Sequence, residues 1–200
     1  MAEEQKQETW QEREKRLKKE FKEYTLPEFF KVMKDKDIEY FSIDFNGCGD
    51  SGDFEDIYFV DEKDVPNNAE LRDEAGIDPE KNMFNMSDPE DRKLQNKVTA
   101  LRDYYLDPLG HGKQHIWTRR MYDNGIKPES KYISIQEYII EVVDQYLNAE
   151  SIDWYNNEGG HGTATFEDGV LEIDGGTYYY EENGFNFHFD SKDYKEKANG

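Results

Sequence analysis

The side chains of this sequence that could do chemistry gather in two glycine-rich clusters. The first runs Gly47-Cys48-Gly49-Asp50-Ser51-Gly52-Asp53, with Glu55 and Asp56 just beyond. Carboxylates at this density suit a hard divalent cation, which is held by oxygen ligands. Asp50, Asp53, Glu55 and Asp56 are the candidate ligands. Counted from Asp44, the spacing puts Asn46 at position three, Gly49 at six and Glu55 at twelve of an EF-hand loop. The match fails at position five, where Cys48 is a poor calcium ligand, and at position eight, which is Ser51. The flanks also alternate like strands rather than helices. The other reading of this cluster is a glycine-rich turn with solvated carboxylates.

The second cluster is Trp154-Tyr155-Asn156-Asn157-Glu158-Gly159-Gly160-His161-Gly162-Thr163. Its glycines allow close backbone approach or positive φ, and its asparagines tolerate left-handed geometry and cap turns. It reads either as a tight structural turn anchored by Trp154 or as one wall of a polar pocket shared with the first cluster. The candidates for such a pocket or partner site are Asp50, Ser51, Asp53, Trp154, Asn156, Asn157, Glu158 and His161. His161-Gly162-Thr163 has the His-x-Thr form of two-histidine phosphoesterases, but His111, His115 and His188 supply no second motif. The sequence contains no His-Glu-x-x-His, phosphate loop or Gly-x-Ser-x-Gly. No catalytic residue is assigned, and the balance tips towards a non-catalytic protein. No cofactor is assigned either, the divalent cation being the one in view.

The first cluster must be positioned by a strand. Residues 38–46 alternate, with Phe41, Ile43 and Phe45 on one face, and Phe54–Asp61 reads as the returning strand of an antiparallel hairpin. The second cluster leads into strands at Gly162–Phe166 and Val170–Ile173, turned at Asp168-Gly169. Residues 152–155 read as a short strand-like entry. Thr177–Glu182 and Phe185–Phe189 read as two further strands, turned at Asn183-Gly184. Helical spacing marks 88–106, opened by Asp88-Pro89, and about 135–148, opened by the capping box Ser134-x-x-Glu137. Residues 3–24 read as one charged helix with a thin stripe of Trp10, Leu17, Phe21 and Tyr24, and Leu26-Pro27 starts a short second helix to about Lys34. Residues 62–87 read as a long acidic loop, or an insertion with only short helical turns. Residues 107–131 read as irregular and locally basic, and 191–200 as a polar tail.

Charge narrows the choice of partner. The chain has 200 residues and a net charge of −21. Residues 37–90 hold 17 acids against 3 bases and residues 151–200 hold 11 against 3, whereas 1–24 and 91–150 are neutral. Such a field repels nucleic-acid phosphates and attracts basic protein surfaces. Aromatic residues make up 14% of the chain, which supplies a core that a disordered acidic chain would lack. Cys48 is the single cysteine, so neither an internal disulfide nor a cysteine zinc site is available. No apolar run reaches membrane-spanning length and no secretory signal opens the sequence, which points to the cytoplasm.

The two clusters together resemble a family of small, functionally uncharacterised bacterial, plasmid and phage proteins. Its members pair a strand ending in Gly-x-Gly-Asp-Ser-Gly with a Trp-x-Asn-Asn-Asp/Glu-Gly turn before the last strands. The resemblance covers 38–61 and 135–182. It implies a phage or mobile-element setting and brings no catalytic residues; the N-terminal helix and 62–131 lie outside it.

The expected fold is α+β: a twisted antiparallel sheet covered by two helices, at 88–106 and 135–149, with a peripheral charged N-terminal helix. The expected organisation is helix 1–24, a single domain over 25–190 with the insertion at 62–87, and the tail. The function expected is a non-catalytic acidic interaction protein that binds a protein partner through its basic surface, as a nucleic-acid mimic or inhibitor does. It would bind neither nucleic acid nor membrane, and would form homo-oligomers, if any, through the N-terminal helix. One alternative is a metal-binding or hydrolytic module built on the two clusters. Another is a structural component of a larger assembly, docked by the N-terminal helix.

Overall fold

The computed structural model describes residues 8–49, 51–81, 84–122, 125–156, 158–178 and 183–190. It is an α+β fold. A five-stranded antiparallel sheet has the order β2-β1-β5-β6-β7, and a separate two-stranded ribbon pairs β3 with β4.

The chain enters through helix α1 (Trp10–Glu20), opened by a capping box in which the Thr9 side chain accepts from the Glu12 N–H and Glu12 answers on the Thr9 N–H. No break follows at residue 24. The helix passes through a π turn at Phe21–Thr25 directly into α2 (Leu26–Asp35). The Leu26 N–H reaches five residues back to the Phe21 carbonyl, just ahead of Pro27, which has no N–H to donate. The extra residue rotates the buried face. Phe21, Thr25, Leu26, Phe29, Phe30 and Met33 point inward, while Tyr24 and Trp10, which the sequence sets on one stripe with Leu17 and Phe21, are exposed.

Strand β1 (Tyr40–Cys48) carries Phe41, Ile43 and Phe45 on its core face. It turns tightly into β2 (Ser51–Phe54), in the register Cys48 to Ser51 and Phe45 to Phe54. The returning strand therefore starts three residues earlier than its sequence pattern predicts. Beyond it the chain meets β1 again only at the Ser42–Tyr58 bridge. β5 (Gly160–Glu167), β6 (Val170–Thr177) and β7 (Asn183–Asp190) complete the sheet. Asp168 (φ 51°) and Gly169 (φ 80°) form the expected turn between β5 and β6. Asn183-Gly184 is not a turn; it lies inside β7, paired with Thr177 and Gly176. Of the strand expected at 177–182, Thr177 ends β6 and residues 179–182 lie outside the described residues, as does the tail at 191–200. Residues 152–155 are loop, not strand.

The core face of the sheet is covered by α2 and by α5 (Ile135–Ala149), which Ser134 caps. Phe29 packs edge-on to Phe41 and Phe166, and Tyr146 packs edge-on to Phe187 and Phe189. The helix at 88–106, expected to share this role, forms as α4 (Pro89–Leu106) but buries Val98 elsewhere, against Leu71 and Ile77. Leu71 belongs to α3 (Asn68–Glu74), a short helix inside the acidic insertion. The stretch 107–131 is not irregular: β3 (His115–Tyr122) and β4 (Gly125–Ser134) pair across it. The ribbon is anchored by Ile116 and Ile133, which join the main core. Among the described residues, no helix is long and apolar enough to cross a membrane.

Candidate functional site

Antiparallel pairing of β1 with β5 brings the two glycine-rich clusters together. Gly47 pairs with Gly160, and Asn46 with His161. The approach is closer than any side chain allows. A Cβ on Gly159 would lie 1.8 Å from the Gly47 carbonyl oxygen, and one on Gly52 would lie 2.6 Å from the Trp154 ring. Trp154 is buried against Phe45 and Phe54 at ring distances of 5.3 and 5.1 Å. On this side of the sheet the clusters join by backbone and aromatic contact. A cleft of about 450 Å³ opens instead on the far side of the 151–156 loop, between α1 and Asn148, with Trp10, Arg13, Asp153, Tyr155 and Asn156 in its walls.

The remaining candidates divide between turns and the outer surface. Ser51 Oγ donates to the Cys48 carbonyl (3.2 Å) and braces the hairpin turn. Asn156 donates through both its backbone N–H and its Nδ2 to Asp153 Oδ1 (3.2 and 2.7 Å). Asp53 Oδ1 accepts from the Phe54 N–H (2.9 Å), and the Glu55 N–H donates to the Asp44 carbonyl (2.8 Å). Asp53, Glu55, Asp56 and Glu158 are all exposed. Asp50 and Asn157 lie outside the described residues. Among the described residues no three His, Cys, Asp or Glu side chains converge to hold a metal ion.

What the strands do assemble is one continuous polar face. Because successive residues of a strand point to opposite sides, placing Phe41, Ile43 and Phe45 inward turns Ser42, Asp44 and Asn46 outward. The register then lines up cross-strand rows on that open side. One row runs Asp44, Thr163, Asp174, Asn186 across four strands; the next runs Ser42, Thr165, Glu172, His188; and Asn46 lies between Asp53 and His161. The five strands contain six acids, Asp44, Asp53, Glu167, Glu172, Asp174 and Asp190, and by register all six fall on this open face. None of the five strands contains a lysine or arginine.

Local bonds hold the carboxylates in place. Thr163 Oγ1 donates to Asp44 Oδ1 (2.5 Å), and Asn186 Nδ2 donates to Glu172 and Asp174 (2.7 and 3.3 Å). His161 stacks on Tyr178 at 5.0 Å. The acidic field extends past the β1 edge. Burial first, then Glu62, with Asp56 and Glu55 adding, pushes the Tyr58 phenol above its ordinary value against the pull of Arg102. Burial and then Asp61 do the same to Tyr40.

Sequence reasoning missed a second exposed feature. On the outer face of the β3–β4 ribbon, His115 stacks on Tyr132 (5.1 Å) and Trp117 leans on the same ring (5.2 Å). Trp117 and Tyr132 are 70% and 58% exposed. The signal was available in the alternation of Ile116 and Thr118 with Trp117 between them, a period of two. Comparison of the chain with family models, curated proteins and solved structures finds no match to any of them.

Proposed function

We propose that this chain is a non-catalytic interaction protein of the cytoplasm whose open sheet face binds a basic surface on a protein partner, in the manner of a nucleic-acid mimic or inhibitor. One observation carries the reading: the six acids of the five-stranded sheet share one face that no described element covers, and none of its five strands supplies a lysine or arginine. A single-sign face of this kind steers a basic partner at long range and disfavours nucleic acid. A phage or mobile-element setting, implied by the sequence resemblance, suits an inhibitor of a host nucleic-acid enzyme.

The test is affinity capture from the native host, identification of the bound protein by mass spectrometry, and titration of the purified pair. The variant D44N/E172Q/D174N removes three carboxylates from the centre of the face. Exposed charge pairs contribute about 0.2–1 kcal/mol each, so the triple variant should raise Kd about tenfold. Added salt should weaken the wild-type complex as screening shortens the field. A Kd indifferent to both the variant and salt refutes the proposal.

A further inference from the structure

Strand β7 ends the sheet, and its outer edge meets no described strand. Proteins ordinarily blunt such an edge with a short strand, a bulge, a proline or a lysine. The opposite edge follows that practice: β2 is four residues long, and the chain beyond it crosses back to β1 at Tyr58. β7 has none of these devices. It runs eight residues, Asn183–Asp190, in unbroken register with β6, and contains no proline, lysine or arginine. Phe185, Phe187 and Phe189 lie along its core side and are each only partly buried against the core. Gly184, Asn186 and His188 are exposed on the other side.

We propose that β7 is a self-association edge, pairing antiparallel with β7 of a second copy about a two-fold axis at Phe187. A two-fold antiparallel pairing keeps both helical layers on one side and both acidic faces on the other, and opposite residues share a face. With Phe187 on the axis, Phe185 stands opposite Phe189, Asn186 opposite His188, and Gly184 opposite Asp190. No pair sets like charges against each other, and the half-buried phenylalanine row continues across the junction as aromatic cross-strand pairs. Moving the axis to Asn186 would set Asn183 against Phe189, which favours the register on Phe187. The product is a ten-stranded sheet with one acidic face of doubled extent. The interface lies on β7 rather than on α1, which is fastened to its own body by Leu17 and by the Lys18–Glu150 ion pair (2.9 Å).

The test is the mass distribution of the full chain by sedimentation, across protein concentration and at low and high salt. The expected result is a concentration-dependent dimer of twice 23.7 kDa. Salt should strengthen it, because each copy carries −21 and screening relieves their repulsion. That is the opposite sign from the salt effect on the basic partner, so the two proposals fail separately. The variant N186K/H188K puts lysines at two exposed positions that would face each other across the axis. It should keep the wild-type circular dichroism spectrum and raise the dimer Kd more than tenfold, and N186K alone should weaken the dimer to a lesser degree. A monomer at every concentration and salt overturns the proposal. So does a dimer that N186K/H188K leaves intact, or one that is lost only when residues 1–24 are deleted.

Discussion

Gly159→Ala tests whether the two glycine-rich clusters are fastened by contact or are merely neighbours. Gly159 has φ +78°, and its added Cβ would lie 1.8 Å from the Gly47 carbonyl oxygen and 2.7 Å from Cys48 Cα. The left-handed backbone alone costs an L-residue about 1–2 kcal/mol. The overlap is with backbone atoms of a paired strand, so no rotamer change relieves it. The loop must draw back, parting Gly47 from Gly160 and loosening Trp154 from Phe45 and Phe54. Losing the end of the ladder and part of the tryptophan burial adds about 2–3 kcal/mol, for a total of about 3–5 kcal/mol. Gly49 is the control: at φ +60° with nothing within 4 Å of its added Cβ, it carries only the backbone cost. With a urea slope of about 2–3 kcal/mol/M, the unfolding midpoint should fall by about 1.5 M for Gly159→Ala and about 0.5 M for Gly49→Ala. Equal midpoints for the two variants would refute the contact argument.

Two further predictions concern the body of the fold. The hydroxyls of Tyr138 and Tyr146 are buried with no hydrogen-bond partner among the described residues, and burial pushes both phenols well above their ordinary value. Tyr146→Phe and Tyr138→Phe should each stabilise by about 1 kcal/mol, raising Tm by about 2–4 °C; a fall in Tm would mean that the hydroxyl is satisfied. Asp91 is held below the ordinary aspartate range, first by Lys81 and then by the Asn85 N–H. Its contribution is therefore complete above the unfolded aspartate value and is lost as pH falls through the lower folded one. The stability gap between wild type and D91N, read from urea midpoints, should close as the pH is lowered through that window.

The parts of the fold legible in the sequence were those fixed by local period and caps. Asp88-Pro89 opened α4, Ser134 opened α5, and the alternation of Phe41, Ile43 and Phe45 set the core face of β1. What misled was glycine. The run from Gly47 to Asp53 reads locally as a glycine-rich turn, yet Gly47 and Gly52 pair across the ladder. Their missing side chains make room for Trp154 and Tyr155, more than a hundred residues away. Asn183-Gly184 failed the same way, its turn chemistry overridden by pairing with β6. The choice of covering helix depended on which apolar stripe reached the sheet. The aromatic stripe of α2 took that place, while α4 turned its own to Leu71 and Ile77. Asn67-x-x-Glu70, a capping box for α3, was readable inside the stretch that otherwise looked like loop.

The strand period of two also explains why the candidate residues do not form one site. Trp154 and the glycines at 47 and 52 belong to the core side of the sheet, where contact fixes one cluster to the other. Asp53 and His161, each one residue from a glycine of that contact, belong by parity to the open side. A change on the core side must therefore act first on stability, and through it on everything the face does. A change at Asp44, Glu172 or Asp174 touches only exposed side chains and their neighbours on the face. The two groups of variants separate the reasoning about the fold from the reasoning about the partner. Loss of binding in D44N/E172Q/D174N at unchanged Tm assigns recognition to the face, whereas loss of binding that tracks Tm across both groups returns it to the junction.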